Sequence, residues 1–283
     1  MNSILLIIII IAGAVQGVCK KEYDTRVSGG AYSFNAAATL FALLIFVVTG
    51  DGNFEYSLQA FAYSVGFALS YAVATAASFL AICTGPLSIG SLVIQYSLVV
   101  PTLYGLIMLD EPIEPLLFVG IGLLLISLVL INFEGKEERK ITFKWGVYVL
   151  LAFIGSGACS TVQKVQQINC NGLYKNEFMI IALAITILIL AATALFTEKK
   201  NIAVSLKKGF VWYAICGLAN GIVNLLVILL SLKMPASVMF PVISAGGIVT
   251  TALISVFVYK EKMSLQQKIG LVLGILAIIA LNM

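Results

Sequence analysis

The chain has 283 residues, of which 61% are apolar and only 11% are charged, whereas an ordinary soluble domain carries about 25% charged residues. With a formal net charge of +4 and no basic patch, it has neither the composition of a soluble globular protein nor that of a nucleic-acid-binding one. Histidine is absent, which excludes imidazole bases, Ser-His-Asp and Cys-His catalytic groups, and zinc or haem sites built on His.

The apolar segments predict ten membrane-spanning helices. A span needs about 20 apolar residues, and lipid offers backbone groups no partner outside a helix or a closed barrel. In chain order we place the helices at 1–18, 32–49, 57–82, 86–109, 115–133, 143–168, 176–197, 209–232, 235–259 and 264–282. The predicted fold class is therefore an all-α membrane protein with ten transmembrane helices.

The first apolar segment has a second interpretation. Residues 4–11 followed by Ala12-Gly13-Ala14 are similar to the core and cleavage site of a signal peptide. No positive charge precedes this segment, and its removal leaves nine helices without the tenth. We therefore favour a retained first helix.

The two halves of the chain are related to each other. A shift of 150 residues aligns 1–133 with 151–283 without a gap, and it places Gln16 on Gln166 and Glu111 on Glu261. Each half has five helices, which is an odd number, so we expect the halves to cross the membrane in opposite directions. The predicted organisation is two inverted five-helix repeats, 1–133 and 143–283, joined by a polar linker at 134–142.

The distribution of charge predicts an orientation. Lys and Arg concentrate in the loops after helices 1, 5, 7 and 9, whereas the opposite side carries mainly acidic residues together with Lys175 and Lys233. Loops rich in Lys and Arg stay in the cytoplasm. The pattern therefore predicts that both termini lie outside.

Two corresponding segments resemble a known family. Gly105-Leu-Ile-Met-Leu-Asp-Glu-Pro precedes a helix that contains Gly120, and Val256-Phe-Val-Tyr-Lys-Glu-Lys precedes a helix that contains Gly270. Both resemble the ending of the five-helix unit in the drug/metabolite transporter superfamily (EamA-like), although the small-residue-Trp-Gly pattern of that family's first helix is missing. The resemblance implies a ten-helix transporter in which helices 1, 3, 4, 6, 8 and 9 surround a central cavity.

Polar side chains inside the spans are the candidate substrate-binding residues, because such groups are costly in lipid. Asn220 and Asn224 lie four residues apart on helix 8 and share a face, and Gln95 and Tyr96 lie near the centre of helix 4. Their alternative role is hydrogen bonding between helices, which contributes about 0.6 kcal/mol on average. Pro86 and Pro101 in helix 4, and the prolines Pro235 and Pro241 in helix 9, predict kinks that serve as gates.

A second set of candidates consists of Gln16 on helix 1 with Gln163 and Gln166 on helix 6, for which hydration near the membrane surface is the alternative. Tyr71 can stack on an aromatic or cationic substrate. Lys164 is the charged residue inside a helix that we consider for a functional role. We favour an ammonium group that reaches the membrane surface, and the alternative is an anchor for a substrate carboxylate or phosphate.

Acidic residues are expected only at helix ends, where Glu111 and Glu261 pair with backbone groups or a lysine. With no Asp or Glu inside a predicted helix beyond its first turn, an intramembrane proton relay is not expected. The five cysteines are scattered, and we interpret them as thiols that pack as small apolar residues.

The predicted function is transport of a small polar or amphipathic organic metabolite by alternating access. The expected partners are this substrate and the lipid bilayer, with no nucleic acid, cofactor, metal or enzymatic activity. We expect a monomer or weak homodimer in a cell membrane, and the resemblance favours a bacterial inner membrane. Two alternatives remain: a polytopic interaction protein that transports nothing, and a membrane-embedded enzyme.

Overall fold

The computed structural model describes residues 2–27, 29–50, 54–84, 96–109, 111, 115–132, 142–199, 201–258, 260 and 264–281. Within these residues the secondary structure is helical, and no strand occurs. The long helices are α1 Asn2–Val27, α2 Ala31–Thr49, α3 Leu58–Thr84, α4 Val99–Met108, α5 Pro115–Asn132, α6 Phe143–Asn169, α7 Lys175–Thr197, α8 Phe210–Ser231, α9 Ala236–Phe257 and α10 Leu265–Leu281. A 3-10 turn at Tyr96–Leu98 precedes α4, and a short helix at Ile202–Lys208 separates α7 from α8.

Several of these helices match the dimensions of a bilayer. By length and composition, six of the described helices can cross a membrane: α1, α2, α3, α6, α7 and α8. The described apolar parts of the other four are shorter, at Tyr96–Met108, Pro115–Ser127, Ala236–Thr250 and Leu265–Leu281. The all-helical membrane class is therefore confirmed, and the full set of ten spans stays a prediction.

Helix α1 continues to Val27, well beyond the predicted end at residue 18. Its last turns are stabilised locally by the ion pair between Arg26 Nε and Glu22 Oε2, at 2.6 Å. They are also held from outside, because the buried hydroxyl of Tyr23 contacts Gly30 O and Ser205 Oγ, each at 2.8 Å. The charged segment after residue 18, which the sequence predicts as a loop, is thus the C-terminal part of α1.

The extension of α1 overturns one expectation. Glu22 and Asp24 lie within α1, and Glu177 lies in the first turn of α7. Because of Glu22 and Asp24, the prediction that no acidic residue falls inside a helix beyond its first turn is wrong. These three carboxylates occur near the ends of their helices, where a spanning helix passes from lipid into water.

Of the described prolines that were expected to kink helices 4 and 9, one lies in a helix interior. Pro101 lies in the first turn of α4, where the missing N–H is tolerated, so it does not kink a helix interior there. Pro86 lies outside the described residues. Pro235 is the N-cap of α9, whereas Pro241 lies inside α9 as predicted.

Two pairs of helices pack antiparallel and bring the central polar residues together. In the α1–α8 pair, Ile9 and Leu230 share one buried cluster, and Cys19 and Tyr213 share another. In the α3–α6 pair, Gly155 lies against Ala74, while Asn169 near the end of α6 bonds Tyr63 near the start of α3. Helix α8 also contacts α2 and α6, so it lies where both pairs meet.

Glycines allow the closest of these contacts. A Cβ atom on Gly217 of α8 would lie 2.1 Å from the carbonyl oxygen of Ala38 in α2. A Cβ on Gly155 of α6 would lie 2.9 Å from the backbone nitrogen of Ala74 in α3. Since real Cβ atoms do not approach other atoms so closely, larger residues would push these helices apart.

The remaining long helices also form antiparallel pairs. In the α2–α7 pair, Asn176 Nδ2 donates to Thr49 O at 3.1 Å, while Glu198 after the other end of α7 accepts from the N–H of Ser33 at 2.9 Å. In the α5–α10 pair, Ser127 Oγ donates to Gly270 O at 2.6 Å. Helix α4 packs against α9.

Candidate functional site

The two asparagines of α8 form the centre of a polar network. They lie one helical turn apart, and Asn224 Nδ2 donates to both the backbone oxygen and Oδ1 of Asn220, at 3.0 Å each. Asn224 is buried, with 8% of its surface exposed, and Asn220 is half-buried. The predicted common face of these residues is therefore found.

Side chains from α1 and α3 also form hydrogen bonds with Asn220. Asn220 Nδ2 donates to Gln16 Oε1 at 3.0 Å, and the hydroxyl of Tyr71 donates to Asn220 Oδ1 at 3.3 Å. The ring of Tyr71 stacks on Phe67, with the ring centroids 5.6 Å apart. The polar network thus has an aromatic wall on one side.

Helix α6 contributes Gln163, which is buried with 4% of its surface exposed. Its Nε2 atom donates to the backbone oxygen of Asn224 at 3.1 Å, and Asn224 Oδ1 lies 3.5 Å away. We refer to Gln16, Tyr71, Gln163, Asn220 and Asn224 as the amide cluster. It joins four helices, α1, α3, α6 and α8. Gln16, Tyr71 and Asn220 lie near the middle of their helices, and Gln163 lies in the last third of α6.

The amide cluster contains only uncharged groups. Each amide offers donors and an acceptor, and the tyrosine hydroxyl offers both, so the cluster can exchange its internal bonds for bonds to a polar solute. A buried amide that loses its partner without replacement costs about 1–3 kcal/mol. A solute that enters must therefore supply matching donors and acceptors.

A second polar site lies at the C-terminal end of α8, beyond Asn224 of the amide cluster. Lys164, which follows Gln163 in α6, points its ammonium group at the end of α8 and the turn after it, with Nζ 2.5 Å from Ser231 O and 2.6 Å from Met234 O. Glu111, which follows α4, lies 3.8 Å away, measured from its Oε1 to Lys164 Nζ. Only 5% of the Lys164 side chain and 9% of the Glu111 side chain are exposed.

Glu111 also caps α9. Its Oε1 accepts from the N–H of Ala236 at 2.6 Å, and its Oε2 accepts from the N–H of Ser237 at 2.8 Å. A carboxylate is favoured at a helix N-terminus and a cation at a C-terminus. We refer to Lys164, Glu111 and the ends of α8 and α9 that they bind as the ion-pair cluster.

These contacts show what surrounds Lys164. Its ammonium is buried by protein, and its partners lie at the ends of α4 and α8 and in the turn before α9, so it is held by protein groups and not by water. Its donors point toward Ser231 and Met234 and away from the amide cluster. The prediction that Glu111 pairs with backbone groups or a lysine is confirmed, whereas Glu261 lies outside the described residues.

The other candidates are not brought to the amide cluster. Tyr96 donates to Leu125 O in α5 at 3.1 Å and packs against the buried cluster around Leu124. Gln166 is fully buried, and its Nε2 donates to Leu173 O at 3.2 Å in the turn after α6, so it is not hydrated at the surface. Gln95 lies outside the described residues.

The cysteines for which side-chain burial is described, Cys19, Cys159, Cys170 and Cys216, are all buried and form no disulfide. Burial raises the pKa of the Cys170 thiol, which lies just after α6, above its usual value. Among the described residues no group of three or more Cys, Asp or Glu side chains is placed to hold a metal ion.

The comparisons with known proteins concern both the family and the fold. Residues 143–283 match the model of the EamA-like transporter family. One solved structure, titled "Crystal structure of protein", is similar with a TM-score of 0.83 at 12% identity, covering 99% of this chain and 95% of that chain. At this identity the similarity shows a common fold alone. No curated protein matches the chain.

Proposed function

Residues 143–283 belong to the EamA-like transporter family, and from this premise we propose that the protein carries a small polar or amphipathic organic molecule across a membrane. Members of this family are membrane transporters of small molecules, and the apolar helices fit a multi-pass membrane protein. We propose the amide cluster as the substrate site and alternating access as the mechanism.

The packing of the helices supports an inverted repeat of residues 1–133 and 143–283. If helix n of the first half corresponds to helix n+5 of the second, the α1–α8 contact corresponds to the α6–α3 contact. The pairs α2–α7, α4–α9 and α5–α10 each join two corresponding helices, as expected beside a twofold axis. The family match begins at Phe143, where the second repeat is expected to begin.

The position of the amide cluster supports its role as the substrate site. Inverted-repeat transporters bind substrates near the bilayer midplane, where the two repeats meet. The cluster takes Gln16 and Tyr71 from the first half and Gln163, Asn220 and Asn224 from the second. This convergence of four helices on uncharged polar groups is the single observation on which the proposal rests.

The ion-pair cluster supports a rocking mechanism. Glu111 belongs to the first half, whereas Lys164 and the ends of α8 and α9 belong to the second. Movement of one half against the other to open this end would separate Glu111 from α9 and Lys164. Pro241 within α9 and the 3-10 turn before α4 provide points at which these helices can bend.

Transport is proposed to proceed without a carboxylate relay in the substrate site. The carboxylate of Glu111 is held by two N–H groups of α9 and by Lys164, outside the amide cluster. Facilitated diffusion and exchange are the modes of transport consistent with this arrangement.

We further propose that the basic short helix Ile202–Lys208 lies in the cytoplasm, because loops rich in Lys and Arg stay on that side of the membrane.

The test is counterflow in liposomes that contain the purified protein. A ligand screen based on thermal stabilisation, covering amino acids, nucleotides, sugars and organic cations, supplies the solutes. Replacement of both Asn220 and Asn224 by Leu is expected to abolish counterflow while membrane insertion stays normal.

The matched control is Asn35→Leu, because the side chain of Asn35 in α2 donates to the carbonyl of Ala31 in its own helix, outside the amide cluster. Unchanged counterflow in the Asn220→Leu, Asn224→Leu double variant would contradict the assignment of the site. Binding without counterflow would favour an interaction protein, and chemical conversion of a solute would favour an enzyme.

The remaining expectations concern assembly and location. We propose that the carrier works as a monomer or weak homodimer, which light scattering of the detergent-purified protein measures. We also propose a bacterial inner membrane as its location, which fractionation of cells tests directly.

A further inference from the structure

The six helices around the proposed pathway are almost free of formal charge. The sequence contains no Asp, Glu, Lys or Arg in 1–19, 56–109, 145–163, 209–232 or 234–259. These segments cover most of helices 1, 3, 4, 6, 8 and 9. Lys20, one turn after Gln16 in α1, is exposed, so among the described residues the charges within or beside the buried part of these helices are Lys164 and Glu111.

Both of these charges already have partners. The ammonium of Lys164 donates to the carbonyl of Ser231 at the end of α8 and to that of Met234 in the following turn. The carboxylate of Glu111 accepts from two N–H groups at the start of α9. The two groups also face each other at 3.8 Å. Ser231 lies two helical turns beyond Asn224, about 10 Å along the axis of α8, so the pair is remote from the amide cluster.

The partial charges at the helix ends near the pathway are also neutralised by side chains. The N-terminus of a helix attracts anions and its C-terminus attracts cations. At α9 the N-terminus holds Glu111, and at the end of α8 the last carbonyls hold Lys164. Neither partial charge remains available to a charged solute in this conformation.

We propose that the transported solute is an uncharged organic molecule that carries both hydrogen-bond donors and acceptors, such as a carboxamide, a polyol or a nucleoside. The inference rests on the proposed function and deepens it. A charged solute in the amide cluster would be desolvated without a counter-charge, which is far more costly than burying a neutral polar group that finds partners. A neutral solute can pair with the amides of Gln16, Gln163, Asn220 and Asn224 and lie against the ring of Tyr71.

The first experiment compares solutes that differ only in charge. The full-length purified protein is screened by thermal stabilisation with nicotinamide, nicotinate and 1-methylnicotinamide, and with glucose, gluconate and glucosamine. The panel also holds uridine, uridine monophosphate, zwitterionic amino acids and polyamines. Solutes that stabilise the protein are then tested by counterflow. We expect the neutral member of a set to bind at least about tenfold more tightly than its charged analogues, a difference of about 1.4 kcal/mol.

Different outcomes separate this inference from the proposed function. If a charged or zwitterionic solute is bound and carried as well as its neutral analogue, the inference fails and the transporter assignment stands. If no solute of any class is bound or carried, the proposed function fails with it.

A second experiment introduces a charge into the cluster. Asn220→Asp places one uncompensated carboxylate in the amide cluster, so the preference should move toward 1-methylnicotinamide or glucosamine by about tenfold or more. Asn35→Asp adds the same charge to α2 outside the cluster and should leave the preference unchanged. An unaltered preference in folded Asn220→Asp protein would overturn the inference, and the wild-type panel tests it even if this variant does not fold.

Discussion

Glu111 and Lys164 lie 3.8 Å apart although they belong to different halves of the chain, and together they hold the ends of two further helices. Each side chain neutralises the other and also compensates a helix terminus. Removal of one partner leaves the other buried without its counter-charge, which is more harmful than removal of both.

Glu111→Gln is therefore expected to lower the free energy of unfolding by about 3 kcal/mol, because it leaves the Lys164 ammonium buried without a carboxylate. Thermal unfolding of the detergent-purified protein measures the change. The control is Glu55→Gln, which alters an exposed carboxylate before α3. A double-mutant cycle with Lys164→Met completes the test: strictly additive effects of the two substitutions would contradict the coupling.

Gly217→Ala is expected to destabilise the contact between α8 and α2. The new Cβ would lie 2.1 Å from Ala38 O, a backbone atom that can move only with its helix. Overpacking of this kind costs about 1–3 kcal/mol. Gly247→Ala in α9 is the matched control, since no atom lies within 4 Å of its added Cβ. Equal thermal stability of the two variants would show that the α2–α8 contact is looser than described.

Tyr71→Phe separates the hydroxyl of Tyr71 from its ring. The hydroxyl donates to Asn220 Oδ1 at 3.3 Å, whereas the ring stacks on Phe67. Loss of one hydrogen bond is worth about 1 kcal/mol, so we expect an apparent KM about five times higher in counterflow. Tyr71→Leu removes the stacked ring too and should weaken binding further. If Tyr71→Phe and Tyr71→Leu behave alike, the ring makes no separate contribution.

The proposed orientation predicts which introduced thiols are accessible from outside the cell. Lys233 after α8 and Lys207 in the short helix are both exposed, and they lie at opposite ends of α8. In intact cells, a membrane-impermeant maleimide is expected to label Lys233→Cys but not Lys207→Cys. Labelling of wild-type protein gives the background, and permeabilised cells show that both thiols react. The reverse pattern would invert the topology.

Much of the fold follows from the apolar segments alone, because lipid leaves the backbone no alternative to a helix. The end of α1 was missed for a specific reason. Lys20 and Lys21 looked like the start of a loop, but the ion pair between Glu22 and Arg26 and the contacts of Tyr23 keep this segment helical. Composition marks where the lipid-facing part ends, and tertiary contacts decide where the helix ends.

The candidate site was only partly predictable. The spacing of Asn220 and Asn224 indicates a shared face, and polar residues inside apolar segments mark Gln16, Gln163 and Tyr71 as candidates. Sequence spacing does not reveal that these side chains converge, because the contacts join helices that are far apart along the chain. The same limit explains Tyr96, which faces α5 instead of the amide cluster.

Lys164 shows what local reasoning leaves out. Its position late in a helix favours an ammonium that reaches the membrane surface, but it does not reveal that Glu111, Ser231 and Met234 supply partners inside the protein. One signal was present in the sequence. Lys164 follows the uncharged segment 145–163, and Glu111, with Asp110, follows the uncharged segment 56–109.

Gln163 and Lys164 are consecutive residues of α6, yet one contacts Asn224 and the other contacts the end of α8. About 100° of helical rotation separates neighbouring side chains, so any turning of α6 about its axis displaces both at once. We therefore expect solute binding at the amide cluster and separation of the ion-pair cluster to be coupled, because a single rigid peptide unit of α6 joins the two residues.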